Sequence, residues 1–374
     1  VNNADRPQGH DGPLSGLKVI EIESIGPGPF AAMTLADLGA NVLRIARPTR
    51  TAGPRNPVLG RGRAGTLALD LKQPADLQRL FTLIGHADAL IEGFRPDVME
   101  RLGLGPEACL ERNPQLVYGR VTGWGRSGPL ALSAGHDINY IALTGALHAS
   151  GTAESGPVAA LNLVGDFGGG GLMLAFGMVC ALFEARSSGR GQIVDAAMTD
   201  GASLLMAMIY GMRAQGRWPA PRAGNILDGS AYFYTVYECA DGWMAVGAIE
   251  PEFRLEWLRL LGLGEEAAAI IRADDNDPKV RQRIAAVFKT RTRDAWRQIF
   301  DGTDACVSPV LHMDEVLTHE QNAAQGTFSS VDGVIHPNPT PRFSRTPASP
   351  PGRPDSVRTA ARLDQWGLTS GDIL

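Results

Sequence analysis

The feature that most constrains this chain is the alternation, along its N-terminal part, of short apolar runs with helix-like runs. LKVIEI (17–22) reads as a buried strand, GPGP (26–29) as a turn, residues 30–38 as a helix stopped by Gly39, and VLRI (42–45) as a second strand. A strand, a helix and a strand in series make a βαβ unit, whose crossover is right-handed in a parallel sheet. The pattern continues with a strand at 66–71, a helix at 74–85 with Pro74 in its first turn, a strand at 87–92, short helices from Pro96 and Pro106, and a strand at 116–121. The fold class this predicts is α/β, a doubly wound domain on a parallel sheet.

Two glycine signatures of nucleotide binding fail on inspection. GRGRAG (60–65) satisfies G-x-G-x-x-G, but a strand pattern follows it where a dinucleotide fingerprint requires a helix after a strand. None of the four lysines, Lys18, Lys72, Lys279 and Lys289, follows a glycine, so there is no Walker A sequence. The βαβ units therefore serve some other ligand geometry.

At 374 residues and 44% hydrophobic content the chain exceeds the usual size of a single core, and two domains are expected. The net charge of -5 argues against a general nucleic-acid binder, which shows a basic excess matched to phosphate. Its basic residues are mostly Arg, which suits forked phosphate recognition at a few sites, as does a simple compositional bias. Cys109, Cys180, Cys239 and Cys306 lie far apart, with no metal-ligand spacing, and read as reduced and structural. The N-terminus lacks the apolar core of a signal peptide, and the chain ends in GDIL rather than a peroxisomal address. The apolar run at 168–183, bounded by Asp166 and Glu184, is too short and glycine-rich for a membrane span. The expected protein is cytoplasmic and binds neither membrane nor nucleic acid.

The chemistry concentrates in two stretches. LNLVGDFGGGG (161–171) places Asp166 between a strand-like apolar run and four glycines, ahead of a run with the length of a buried helix. Unpaired N–H groups at such a helix start favour an anion or a developing oxyanion, and glycines let a ligand approach the main chain. The competing reading is that Asp166 caps the helix and the glycines permit tight packing. GHDINY (135–140) places His136 after a loop rich in Gly, Ser and Pro and before a helix-like run. A His and an Asp on opposite sides of one carbon can take a proton from one face and return one to the other. Alone, His136 reads as a helix cap or buried polar residue.

Residues 199–214 look helical and carry Met206, Met208 and Met212, with Met198 just before them, as core or as an adaptable acyl-chain surface. From Ala231, YFYTVYEC, then DG, then WMAV is a hairpin signal opening a second, smaller domain. Helical segments follow around 251–262, 278–290 and 293–300, and a proline-rich stretch at 337–354 favours an extended surface path. The expected organisation is a large domain over 1–200, a helical linker over 201–228, a small α+β domain over 229–325, and a segment over 326–374 returning to the large domain.

The ordered set IGPGPFAAMTLADLGANVLRI, LIEGFRPDV, ERLGLG, TGWGRSGP, GHDINY, LNLVGDFGGGG, SGRGQIVDAAM, LDGSAYFYTVYECADG and VGAIEPEF resembles the family III CoA-transferase (CaiB/BaiF) superfamily, in its alpha-methylacyl-CoA racemase branch. The resemblance runs from about Pro13 to Arg345. It implies an interlaced homodimer, each subunit with a Rossmann-like large domain and a small domain, and active sites at the subunit interface. It also implies a branched acyl-CoA substrate inverted at C2 by 1,1-proton transfer through an enolate, with no cofactor, CoA being part of the substrate.

Carried over residue by residue, the resemblance makes His136 and Asp166 the paired acid/base groups, and Glu250 of AIEP the carboxylate paired with the histidine. Glu250 also reads as a helix N-terminal charge ahead of Pro251. The positions implied to contact CoA are Arg47, Leu69, Asp70, Leu71, Lys72, Gly93, Phe94, Arg95, Arg101, Gly135, Asp137, Ile138, Asn139 and Tyr140. Arg47, Lys72, Arg95 and Arg101 suit its phosphates, and Phe94 suits adenine or pantetheine. Asn162 is a supporting residue, and N–H groups at the start of the glycine-led helix are the expected donors to the enolate oxygen. No metal site is expected.

The alternatives are a CoA-transferase with Asp166 as nucleophile, and a CoA-binding protein without activity. The resemblance to transferases lacks their glycine-rich loop near Glu250, while RNPVLGRGRAG (55–65) is more glycine-rich than the racemase branch implies.

Overall fold

A computed structural model describes residues 12–48, 56–219, 222–352 and 363–369. The N-terminal stretch, Arg55, Pro354 at the end of the 337–354 run and the GDIL ending lie outside the described residues.

The predicted alternation forms a large unit. Its elements are β1 (Lys18–Ile22), α1 (Pro27–Asp37), β2 (Asn41–Ala46), β3 (Arg63–Ala68), α2 (Pro74–Ile84), β4 (Ala89–Glu92), α3 (Val98–Arg101), α4 (Pro106–Arg112), β5 (Val117–Thr122) and α5 (Asp137–Ala142). A π-helical segment, Leu163–Leu172, runs directly into α6 (Met173–Ser188), followed by β6 (Ile193–Ala197) and α7 (Met198–Leu205). The six strands are all parallel, in the order β3-β2-β1-β4-β5-β6. The unit comprises the described residues of Val1–Thr144, Leu161–Leu205 and Leu317–Leu374.

Successive strand residues point to opposite faces, and both faces are covered. Ile20, Leu43, Leu90 and Tyr118 pack with Leu80, Leu83 and Ile84 of α2, and with Trp366 near the C-terminus. Their neighbours Val19, Val42, Ala89, Ile91 and Val117 pack with Ala31 and Leu35 of α1 and Leu174 and Met178 of α6. This is the doubly wound arrangement, and it explains why the strands read as continuous apolar runs.

Three local expectations are corrected. First, α1 begins at Pro27, inside the expected turn, because the first helical position needs no N–H and proline presets its φ. Second, β3 starts at Arg63 rather than at 66. The Arg63 guanidinium is accepted inside the sheet because it bonds both oxygens of buried Glu21, at 2.7 and 3.1 Å, and the Pro29 carbonyl at 2.8 Å. With Arg61 bonded to Asp37, the arginines of GRGRAG are structural.

Third, the segment before Asp166 is no strand. The π-helical segment and α6 together span 26 residues, longer than the expected 168–183 run, and an 18-residue window within them reaches a mean hydropathy of 1.6. By length and composition alone such a helix can cross a bilayer. One stripe of it, Leu174, Ala175, Met178, Ala181 and Leu182, is core of the large unit. Another, Leu172, Phe176, Val179 and Phe183, is exposed.

A second unit comprises the described residues of Gly145–Ala160 and Met206–Val316. It contains α8 (Ala207–Ala214), the predicted hairpin β7 (Tyr234–Glu238) and β8 (Trp243–Gly247), α9 (Pro251–Leu260), α10 (Ala267–Arg272), α11 (Pro278–Phe288), α12 (Arg293–Phe300) and β9 (Val307–Pro309). The strands form an antiparallel sheet in the order β9-β8-β7. The expected helix at 199–214 is interrupted at Met206, so that α7 and α8 belong to different units. The helix α10 carries no capping side chain and gave no signal.

Candidate active site

Strand order reverses between β1 and β4, so their crossovers leave in opposite directions and the carboxyl ends of the strands open a crevice. Two cavities lie there, of ≈ 220 and ≈ 720 Å³. Both are lined by Ile25, Gly93 and Phe94, the turns that follow β1 and β4.

His136 and Asp166 line the smaller cavity together with Arg95, Trp124, Gly135 and Tyr140. His136 is exposed and sits at the N-cap of α5, where its N–H donates to Asn139 Oδ1 at 3.1 Å. The turn before it is fixed by Tyr140, whose hydroxyl donates to the Gly135 carbonyl and whose ring meets Trp124 edge-on, centroids 4.8 Å apart. Gly123 is required beneath that ring, since a Cβ there would lie 2.2 Å from it.

Asp166 lies in the first turn of the π-helical segment, half-buried, with Oδ2 accepting from Asn162 Nδ2 at 3.1 Å. Burial raises its pKa from the ordinary aspartate value and the Asp137 charge adds to the rise, while the Asn162 bond and the nearby His136 oppose it. A carboxylate shifted upward is a better base near neutral pH. Burial also raises the Tyr140 hydroxyl, with Asp166 contributing and Arg95 opposing.

The expected anion-binding helix start is corrected. Asp137 Oδ2 accepts the N–H groups of both Gly165 and Asp166, each at 2.7 Å, so these donors are already engaged. The glycines that follow serve packing. The helix α7 crosses the segment in backbone contact, and a Cβ at Gly201 would lie 1.9 Å from the Gly169 carbonyl oxygen.

Of the positions expected to contact CoA, Arg47, Leu69, Asp70, Leu71, Lys72, Gly93 and Phe94 line the larger cavity, while Arg95, Gly135 and Tyr140 line the smaller. Arg47 and Lys72 are exposed at its wall. Asp70 organises the turn, accepting the Lys72 N–H at 3.2 Å. Arg101, Ile138 and Asn139 are exposed and line neither cavity. Asp137 also lines neither; its side chain is turned inward and 4% exposed. Glu250 belongs to the second unit, exposed at the N-cap of α9 without a side-chain capping bond. Of the methionines, Met198 lines the smaller cavity, Met212 is buried and Met208 is exposed.

Sequence reasoning missed Glu92, which ends β4 beneath the crevice. It is 3% exposed and accepts the Phe94 N–H at 2.7 Å. Burial pushes its pKa up to about 7; Glu100 adds to this, while the Phe94 bond, Arg120 and Arg126 oppose it. The signal was an acid closing the apolar run ALIE. Among the described residues, no group of three or more His, Cys, Asp or Glu side chains is arranged to hold a metal ion.

Comparison with known proteins agrees with this architecture. The chain is 44% identical over 367 residues to alpha-methylacyl-CoA racemase of Mus musculus and, equally, of Homo sapiens, covering 96% of this chain and 95% of each relative. A CaiB/BaiF family protein from Brucella suis superposes with a TM-score of 0.78 at 26% identity, over 95% of this chain and 100% of that one. The family model for CoA-transferase family III matches residues 14–356, and the chain belongs to that family.

Proposed function

We propose that the chain is an isomerase that inverts C2 of 2-methyl-branched acyl-CoA thioesters, with His136 and Asp166 as its two acid/base groups. The observation that carries this reading is that both line one cavity at the sheet's switch point. That cavity shares three wall residues with a larger one bearing Arg47 and Lys72. CoA lies in the larger cavity, its phosphates against those cations, and the thioester reaches the smaller one. The racemases of mouse and human supply the substrate class.

One base removes the α proton, the electron pair moves onto the thioester oxygen as an enolate, and the other base delivers a proton to the opposite face. Arg95, a cation on the same wall, offsets the enolate's charge. The reaction requires no cofactor beyond the CoA of its own substrate.

In this reading the chain acts as an interlaced homodimer in the cytoplasm, with 201–228 as linker and 326–374 returning to the large domain. A second copy covers the exposed stripe of Leu172, Phe176, Val179 and Phe183, an apolar surface of the kind that marks interfaces.

The test is incubation of the protein with one stereoisomer of a 2-methylacyl-CoA in deuterium oxide, without an acceptor acid. Exchange of the α proton with inversion is expected. The family's name also fits a CoA-transferase with Asp166 as nucleophile. No exchange, with CoA moved to an added carboxylic acid through an Asp166-dependent adduct, would replace the racemase with that activity.

A further inference from the structure

We propose that Asp137 is a positioning residue that ties the main chain of Asp166 to the turn carrying His136, and so holds the two acid/base groups against one carbon. The inference rests on the two-base reading above. Asp137 follows His136 directly and is the first residue of α5. Its carboxylate is buried and lines neither cavity, and its Oδ2 accepts the N–H groups of Gly165 and Asp166, both at 2.7 Å. Those donors lie in the first turn of a helix and have no partner within it, so the carboxylate satisfies both.

The surroundings are shaped to this contact. A Cβ at Gly165 would lie 2.7 Å from Asp137 Oδ2, so the position is left without a side chain. The other oxygen, Oδ1, is buried with no hydrogen-bond partner. The Asp137 charge therefore lies close to Asp166, where it raises the basicity of that carboxylate. The other groups acting on Asp166 are Asn162 and His136, and Tyr140 and Arg95 share its cavity. The residues of α1 and α7 that line the cavity, Pro27 and Met198, are uncharged. Asp137 thus acts on geometry through its hydrogen bonds and on proton affinity through its charge.

The two effects separate in Asp137→Ala and Asp137→Asn of the full chain, with kcat and KM measured for racemisation of a 2-methylacyl-CoA across pH. Asp137→Ala is expected to lower kcat about 100-fold with KM unchanged, the scale of a small misplacement of reacting groups. Asp137→Asn, which keeps an accepting oxygen, is expected to recover most of that loss and to move the acid-side limb of the kcat profile to lower pH. Wild-type kcat in folded Asp137→Ala overturns the proposal, and so does an unmoved limb in Asp137→Asn. If Asp137→Ala does not fold, the limb in Asp137→Asn decides alone. Asp166→Asn is the control. Inversion at the wild-type rate in it overturns the two-base reading and this proposal with it; inversion lost there but kept at the wild-type rate in Asp137→Ala overturns this proposal only.

Discussion

The aromatic core of the second unit and the strand-end crevice of the large unit treat buried polar groups in opposite ways. In the core, Tyr237 donates its hydroxyl to the Tyr232 carbonyl at 2.6 Å and Trp296 its indole N–H to the Phe288 carbonyl at 2.8 Å. The Arg254 guanidinium lies 3.4 Å from the centroid of the Phe233 ring and donates to the Ile249 carbonyl at 2.8 Å. Trp257 Nε1 is the exception. Around the crevice, Glu92 and Asp137 are buried carboxylates and Asp166 a half-buried one, and burial raises the proton affinity of Glu92 and Asp166. Desolvated acids cost stability, and they persist where a proton must be held or moved. The contrast separates residues that keep the chain folded from residues that give it chemistry.

The largest effect expected is on activity alone. His136→Ala and Asp166→Asn should each lower racemisation at least about 100-fold, with an unchanged denaturation midpoint. A parallel loss of stability would dissolve the distinction between the two regions. The reverse case is Trp296→Ala, which removes a side chain 2% exposed between Phe288 and Phe300. It should destabilise the protein by about 3–5 kcal/mol in urea titration.

Glu92 sharpens the contrast through pH. The folded protein holds its proton up to about pH 7, whereas the unfolded chain releases it near 4.5. Between those values the folded state binds more protons, so stability falls as pH rises through the window and levels off above it. Glu92→Gln should therefore be more stable than the wild type at pH 8, by up to about 3 kcal/mol, and should lose that advantage towards pH 5. An advantage independent of pH would contradict the assignment. The smallest effect belongs to Arg283, paired with Glu266 on the surface of the second unit. Arg283→Ala should leave both midpoint and activity unchanged, since exposed ion pairs contribute little.

Much of this was legible in the residues because it is local. Apolar runs bounded by Gly and Pro mark the strands of the large sheet, and the ordered motifs bring His136 and Asp166 forward together. What escaped depends on contacts between distant segments. The π-helical winding around Asp166 goes with the backbone crossing of Gly169 and Gly201, and β3 starts early because Arg63 finds Glu21. The inward turn of Asp137 depends on Gly165, which carries no side chain to oppose it. A motif names a carboxylate without saying which wall it faces.

The central claim, that His136 and Asp166 serve opposite faces of one carbon, is tested most directly by α-proton exchange in deuterium oxide from each stereoisomer separately. The wild type should exchange both with inversion. His136→Ala should exchange one stereoisomer with retention and Asp166→Ala only the other, because each variant keeps a single base on a single face. Exchange of the same stereoisomer by both variants, or full inversion in either, would contradict the two-base account.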